Sequence, residues 1–281
     1  MHHISAEAFE ALVTLEKRAF ERAAREAVER ILDETLPDAT RLVMASDPAY
    51  PDELAALDEH PAVLVCEGDL ALTERQLRVA VVGSRAAPDD ARQAAFDMAK
   101  GLAERGAVIV SGLAVGIDAA AHEGALAAVD GAGHRGRTIA VLGTPLAQPW
   151  PPANAKLARR IAAYGLLISL APQVSGLSFS DDERMHSHWC RNRAIAALAC
   201  GSLVMAGKVG SSTLREVAHS ISLGRPVLLW HTLVEEGGED WARDLLSDPP
   251  KDEMGRDLVK AVASVDDVEA ALSPWSTVWW L

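Results

Sequence analysis

Short apolar runs alternate with helical patterns through the central part of the chain, from residue 78 to residue 230. Each run is continuous rather than alternating, as in RVAVVG at 78–83 and AVIVSG at 107–112. Runs of this kind are typical of parallel strands that are buried on both faces, and the stretches between them have the spacing of amphipathic helices. The pattern therefore predicts an α/β fold in which a parallel sheet carries helices on both faces.

The composition pattern divides the chain into three expected parts. They are an N-terminal helical extension at 1–77, the sheet with its helices at 78–235, and an acidic helical tail at 236–281. The extension begins with a predicted helix over 5–32 and contains an apolar strand at 62–66. The tail is predicted to be helical over 238–272, and it ends in the tryptophan-rich sequence SPWSTVWWL.

The formal net charge of −13 is unevenly distributed. Residues 78–230 hold 16 basic and 11 acidic residues, whereas residues 1–77 hold 7 and 17 and residues 231–281 hold 4 and 12. A basic centre between acidic ends is compatible with a polyanion-binding site in the centre, and equally with acidic ends that are simply solvated helices.

Several classes of protein are disfavoured by the sequence. The three cysteines have no CxxC spacing, which favours a reducing cytoplasm over a disulfide framework. No run approaches the roughly 20 apolar residues of a membrane helix, and the first residues lack the order of a signal peptide. The dinucleotide fingerprint GxGxxG and the Walker A motif do not occur. We therefore expect a cytoplasmic protein with no membrane segment, no cofactor and no metal site.

The loops that follow the predicted strands are rich in glycine and hydroxyl side chains, as in GSRAAPDD at 83–90 and SGLAVGID at 111–118. In a parallel sheet these loops meet at the carboxyl edge, where doubly wound folds bind their ligands. Glycine permits close backbone approach, and the start of a helix favours an anion. Arg85 and Lys208 add positive charge from two of these loops. The pattern predicts an anion site, with ordinary turn glycines as the alternative.

Two pairs of side chains near this edge allow both a catalytic and a structural interpretation. Asp118 and His122 lie four residues apart on one predicted helix, as an acid/base pair or as local hydrogen-bonding groups. We favour the second interpretation because no nucleophile accompanies them. Thr213 and Glu216 have the spacing of a capping box, which we favour over a catalytic role for Glu216.

The stretch WCRNR at 189–193 is predicted to lead into a helix. Trp189 is interpreted as a packing anchor, with stacking on a nucleic-acid base as the alternative. Arg191 and Arg193 would oppose the dipole at the start of that helix, so they need either an acidic neighbour or a bound phosphate.

Several motifs resemble those of one known family. The chain contains VGSR at 82–85, SGLAVGIDAAAHEGAL at 111–126, TIAVLGTPL at 138–146 and RNRAIAAL at 191–198, in that order. These stretches resemble the core of the DNA-processing family DprA, also called Smf, and the similarity covers roughly residues 47–230. The resemblance implies an extended Rossmann-like fold that binds single-stranded DNA and commonly forms homodimers. It also implies a role in loading the recombinase RecA during natural transformation, without an established enzymatic activity.

The resemblance also implies a DNA-binding groove at the carboxyl edge, with Arg85 on a DNA phosphate and Lys156 as a weaker candidate. Together with the loop pattern it gives these predicted phosphate-binding residues: Gly83, Ser84, Arg85, Ser111, Gly112, Gly116, Lys156, Arg191, Asn192, Arg193 and Lys208.

Two other functions remain open. In the related LOG phosphoribohydrolases a G-G-x-G-T-x-x-E run contributes a catalytic glutamate, and residues 210–216 match that run loosely. A nucleotide-binding or nucleotide N-glycoside hydrolase activity that uses Glu216 is therefore the alternative function. A third possibility is a protein-interaction module that works through the acidic N-terminal helix and the tryptophan-rich tail.

Overall fold

The computed structural model describes residues 40–58, 60–75, 77–170 and 181–276, and for residues 181–188 and 276 it describes only the backbone. The strands in this part of the chain are β1 (Thr40–Met44), β2 (Val63–Gly68), β3 (Arg78–Gly83), β4 (Val108–Ser111), β5 (Arg137–Leu142), β6 (Leu166–Ser169), β7 (Gly201–Ala206), β8 (Val227–Trp230) and β9 (Val259–Val262). The helices are α1 (Asp52–Ala55), α2 (Asp89–Glu104), α3 (Ile117–Ala127), α4 (Ala155–Tyr164), α5 (Asp181–Leu198), α6 (Ser212–Ser222), α7 (Asp240–Ser247) and α8 (Val265–Ser276).

The nine strands form one sheet in the order β1-β2-β6-β5-β4-β3-β7-β8-β9. All neighbouring strands from β6 to β9 are parallel, and β2 and β1 continue the sheet beyond β6 as antiparallel strands. The strands before residue 78 and after residue 235 thus belong to the same sheet as the central part. The predicted α/β sheet is confirmed, with an antiparallel extension at one edge.

Helices cover both faces of the sheet, as predicted. Strand β3 shows how the chain divides between the faces, because successive side chains of a strand point to opposite sides. Val79 and Val81 pack into a core with α2, α3 and α8. Ala80 and Val82 pack into a second core with α1, α5, α6 and α7. Helix α4 covers β5 and β6 on the same side as α3.

Three elements differ from the sequence predictions. The tail predicted to be helical contains β9 between α7 and α8, because a four-residue edge strand with the sequence VKAV gives too short an apolar run to be recognised. Helix α5 begins at Asp181, so Arg191 and Arg193 lie inside the helix and not at its start. Strand β1 was not predicted, and the predicted helix over 5–32 lies outside the described residues.

None of the helices in the described part of the chain has the length and apolar character needed to cross a membrane.

Helices α2 and α3 touch at Gly124. A Cβ atom placed on Gly124 would lie 2.2 Å from the carbonyl oxygen of Phe96, which is a backbone atom and cannot turn aside. Glycine is therefore required here by the close approach of the two helices and not by its backbone freedom.

Replacing Gly124 by alanine should lower the free energy of unfolding by about 1–3 kcal/mol, since the clash outweighs the better helix propensity of alanine. Urea denaturation followed by circular dichroism measures the change. Gly131→Ala is the matched control, because a Cβ atom there meets nothing within 4 Å. A Gly124→Ala variant as stable as the Gly131→Ala variant would contradict this account of the helix contact.

Candidate functional site

The chain reverses its direction of winding between β3 and β7. From β3 the strands proceed through β4, β5 and β6 to one side, and β7 then returns to pair with the other side of β3. Such a switch point leaves a crevice at the carboxyl ends of the two strands, where α/β folds bind ligands. A narrow cleft lies there, and we call it the switch-point cleft. It is lined by Val82, Gly83, Arg85, Ala114, Asp118, Arg191, Asn192, Ser212, Thr213 and Glu216.

Two glycines bring the loops at this cleft together. Gly116 has a φ of +85°, and a Cβ atom on it would lie 2.4 Å from the carbonyl oxygen of Ser84. A Cβ atom on Gly83 would lie 2.6 Å from the Ile117 side chain. The two predicted glycines thus serve close packing between the loop after β3 and the start of α3. The backbone of Ser84 also serves the fold, because its N–H donates a hydrogen bond to the carbonyl oxygen of Ala206 at 2.9 Å.

Arg191 is held inside the protein by the ends of several elements. Its guanidinium donates to the carbonyl oxygens of Gly112 and Val141, and its Nη2 lies 3.5 Å from the Asp118 carboxylate. A Cβ atom on Gly112 would lie 2.0 Å from the guanidinium, so glycine is required for Arg191 to fit. Only 10% of the Arg191 side chain is exposed. Gly112 and Arg191, which were both predicted to bind phosphate, therefore contact each other inside the protein.

The other predicted residues divide between the cleft and other surfaces. Asn192 lines the cleft and donates to the Ser212 carbonyl at 3.3 Å. Ser111 is fully buried, and its hydroxyl donates to the Val81 carbonyl at 2.7 Å. Arg193 is not among the residues that line the cleft. It lies 3.9 Å from Asp58 and 5.5 Å from the ring centre of Trp189.

Exposed positive charges follow three strands at the carboxyl edge, and one of them lines the switch-point cleft. Arg85 follows β3, Lys156 lies in the first turn of α4 and Lys208 follows β7. None of the three forms an ion pair with another residue that the structure describes. All three are therefore available to an anion in solution, and we call them the rim cations.

Glu216 lies in the cleft with its carboxyl group almost completely buried. The residue is 3% exposed, and its Oε1 has no hydrogen-bond partner in the part of the chain described. Burial, together with the nearby Asp118, raises the pKa of Glu216 well above its usual range, and Arg191 opposes that shift only in part. The carboxyl group keeps its proton over a pH range in which an exposed glutamate has lost it. Over that range Glu216 does not cancel the positive charge of the cleft.

The capping box predicted at the start of α6 does not form. The N-cap residue is Ser211, and it makes no side-chain capping bond. Thr213 and Glu216 both lie inside the helix, where they line the cleft. The three-residue spacing instead places both side chains on one face of α6.

Asp118 and His122 do not form a pair with each other. Asp118 accepts a hydrogen bond from the Ala114 N–H at 3.3 Å, and burial raises its pKa while Arg191 opposes the shift. His122 bonds to the Thr138 hydroxyl at 2.7 Å, and burial lowers its pKa to about 3. The imidazole is therefore neutral near pH 7. Asp118 thus makes a local hydrogen bond to the loop before α3, whereas His122 connects α3 to β5 and not to the loop.

Trp150 is an exposed aromatic residue at the same edge that the sequence analysis overlooked. Its residue surface is 61% exposed, in the loop after β5. Asn154 ties this loop to the cleft, because its Nδ2 donates to the Leu113 carbonyl at 2.9 Å. The signal was a tryptophan among prolines in a loop at the carboxyl edge, and an aromatic ring of this kind can stack on a base.

No group of three histidine, cysteine, aspartate or glutamate side chains that could hold a metal ion occurs among the described residues.

The profile of one protein family, DNA recombination-mediator protein A, matches residues 41–248 of this chain. The match covers β2 to β8 completely and all of β1 except its first residue, and it leaves out β9. It includes all the residues that line the switch-point cleft. The chain belongs to this family.

This chain is also similar to individual members of the DNA recombination-mediator protein A family. The DNA processing protein DprA of Streptococcus pneumoniae is 35% identical over 207 residues, which are 73% of this chain and 68% of that protein. Its X-ray structure superposes with a TM-score of 0.68 at 32% identity, over 83% of this chain and 74% of that one. The DNA processing protein DprA of Bacillus subtilis is 30% identical over 198 residues, 70% of this chain and 63% of that protein.

A solved structure of DNA processing protein A from Helicobacter pylori has the same fold. It superposes with a TM-score of 0.67 at 24% identity, over 84% of this chain and 96% of that one, and it describes a single-stranded DNA binding mode of that protein. This chain spans about two thirds of the length of the pneumococcal and Bacillus proteins.

The buried state of Glu216 makes stability depend on pH. Its folded-state pKa lies above the unfolded value, so keeping the proton costs progressively more as pH rises from the unfolded pKa to the folded one. Glu216→Gln removes this cost. We expect the melting temperature of Glu216→Gln relative to wild type to rise as the pH increases above about 4.5, the ordinary pKa of a glutamate.

Glu236→Gln is the control for this measurement, since Glu236 is exposed. It should leave the pH profile of the melting temperature unchanged. The difference in melting temperature between Glu216→Gln and wild type could instead stay constant over the whole pH range. That result would contradict the raised pKa of Glu216.

Proposed function

We propose that this protein binds single-stranded DNA along the carboxyl edge of its sheet, as a binding protein without chemical turnover in DNA processing and recombination. The observation that carries the proposal is Arg85, an exposed arginine without an ion pair in the described structure, at the mouth of the switch-point cleft. An arginine offers a planar fork of donors that matches phosphate oxygens. Family membership and the single-stranded DNA binding mode of the Helicobacter relative support the same ligand.

The arrangement around Arg85 suits a flexible strand better than a small molecule. The rim cations Arg85, Lys156 and Lys208 lie on separate elements along one edge, so they can contact successive phosphates. Trp150 at the same edge offers a surface for stacking, which tolerates any base. Inside the cleft Arg191 offsets Asp118, and the raised pKa of Glu216 limits its negative charge, so that Arg85 leaves a net positive charge toward the strand.

The pathway and the partners of this activity are also proposals. By membership of its family, the protein would act in natural transformation, form a homodimer and deliver bound strands to the recombinase RecA. Sedimentation or light scattering of the purified chain tests the dimer. The rate of RecA filament formation on strands coated with a single-strand-binding protein tests the delivery.

Arg85→Ala should weaken binding of a labelled 30-nucleotide oligo(dT) by about tenfold or more, because a charge-assisted contact of roughly 1.5–3 kcal/mol is lost. The slope of log affinity against log salt concentration should fall by about 0.7, since one phosphate contact on a single strand is removed. Fluorescence anisotropy at several salt concentrations measures both quantities.

Arg105→Ala provides the matched control for Arg85→Ala. Arg105 is an exposed arginine at the opposite edge of the sheet, where it pairs with Asp266 and Glu269. Its loss changes the net charge equally but should leave the affinity near wild type. If the wild-type protein retains no oligonucleotide even at low salt, the proposal is wrong.

A second candidate function is hydrolysis of a nucleotide N-glycoside. The observation that favours it is Glu216, a buried carboxyl group with a raised pKa whose Oε1 has no partner in the described structure and which shares the cleft with Arg85. A carboxylic acid in that state can donate a proton to a leaving base while an arginine holds the phosphate.

Incubation with nucleoside monophosphates, followed by chromatography for free base, tests the second candidate. The expected result under this function is base release that Glu216→Gln abolishes and Glu236→Gln leaves intact. Absence of free base would eliminate the hydrolase function, and release that persists in Glu216→Gln would eliminate the role of Glu216 in it. Neither result bears on DNA binding.

A further inference from the structure

A second cleft, of about 500 Å³, opens at the opposite edge of the sheet, at the amino ends of β5 and β6. This volume lies within the range of small-molecule sites. Its lining includes Arg41 from β1, Gly68 and Asp69 from the end of β2, Arg137 from the start of β5, and Tyr164 and Gly165 from the end of α4. We call it the amino-edge cleft, and none of the predicted site residues lies in it.

Positive charge gathers at this cleft in a chain with an excess of acidic residues. Arg41 and Arg137 line it, and Arg135 stands beside it over the Tyr164 ring. None of the three arginines forms an ion pair with any residue that the structure describes. Asp69 is the acidic residue among those lining the cleft, and its carboxylate accepts a hydrogen bond from the Ala71 N–H at 3.2 Å.

A structural role explains only part of this arrangement. Arg137 donates from Nη1 to the carbonyl of Tyr164 at 3.2 Å and so satisfies the last turn of α4, but its remaining N–H groups are left for another acceptor. The carbonyl of Gly165 is satisfied by the Asp69 N–H at 2.9 Å. The Arg41 side chain makes no hydrogen bond within the described part of the chain, so it has no role of this kind.

The aromatic side of the cleft suits a base. Tyr164 is 46% exposed, and the Arg135 guanidinium carbon lies 5.2 Å from the centre of its ring. Aromatic rings and arginine planes are the surfaces on which unstacked bases rest in single-strand complexes, and arginine forks match phosphate oxygens. The cleft thus offers both halves of a nucleotide a partner.

We propose that the amino-edge cleft binds a nucleotide unit of the same DNA strand that occupies the switch-point cleft, with Arg41 and Arg137 on the phosphate and Tyr164 with Arg135 against the base. This inference rests on the proposed single-strand binding.

The separation of the two clefts determines which strands can reach both. Strand β5 has six residues and runs from one edge to the other, which at about 3.3 Å per residue is roughly 20 Å. An unstacked strand spans roughly twice the stacked rise of about 3.4 Å per nucleotide, so three nucleotides fall short of the path between the two clefts. A trinucleotide can therefore occupy only one cleft, whereas a 30-mer can occupy both.

The test compares labelled oligo(dT) of 3 and 30 nucleotides by fluorescence anisotropy on the full chain. Arg41→Ala and Tyr164→Ala should each weaken binding of the 30-mer about tenfold and leave binding of the trinucleotide unchanged. Tyr164→Phe, which keeps the ring, should restore binding of the 30-mer. Arg105→Ala, an exposed arginine at the same edge that is paired with two acids, should change neither oligonucleotide.

Three results would overturn the inference. If both oligonucleotides bind to wild type and the 30-mer is indifferent to Arg41→Ala and Tyr164→Ala, the amino-edge cleft binds no nucleotide. If these variants weaken binding of the trinucleotide as much as binding of the 30-mer, the effect does not come from the added length. If wild type binds neither oligonucleotide, the proposed function itself fails, and the inference fails with it.

Discussion

The buried Arg191 guanidinium is the interaction on which the geometry of the carboxyl edge depends. It lies among the carbonyl oxygens that end β4 and β5, and it faces the Asp118 carboxylate on α3. One side chain of α5 thereby fixes the ends of two strands and the start of a helix. Loss of it would leave Asp118 buried without a countercharge, an arrangement that costs about 3–5 kcal/mol. Gly112 is part of the same device, since only a residue without a Cβ atom leaves space for the guanidinium.

This buried network separates the charged residues of the edge into two roles. Arg191, Asp118 and Glu216 are enclosed, and they set the shape and the local charge of the switch-point cleft. Arg85 and Lys208 are exposed, and they can meet a ligand without first breaking a contact within the described structure. Rigid positioning by the first group limits the ordering that binding must impose on the second, and this favours affinity.

Much of the architecture follows from the sequence, because long-range pattern decides it. The continuous apolar runs identify the parallel strands, and the carboxyl-edge rule places Arg85, Asp118 and Glu216 near one another. The edge strands β1 and β9 were not predicted, because short and partly exposed strands show little periodicity in the sequence. The start of α5 was placed too late in the sequence, because its first residues are polar and give no apolar stripe.

Burial of polar groups could not be predicted from residue type. The sequence does not show that the Ser111 hydroxyl is spent on the Val81 carbonyl, or that Glu216 lines a cleft instead of capping α6. Nor does it show that Arg193 turns toward Asp58 and Trp189 while its near neighbour Arg191 turns into the cleft. Such choices depend on tertiary packing, which decides where each side of a helix finds its partner.

A crystal structure of the protein with a bound oligo(dT) hexamer tests the central claim most directly. The account predicts a phosphate within about 3 Å of the Arg85 guanidinium, at the mouth of the switch-point cleft, with the strand running along the carboxyl edge past Trp150. A strand bound elsewhere, with Arg85 in contact with solvent alone, would contradict it.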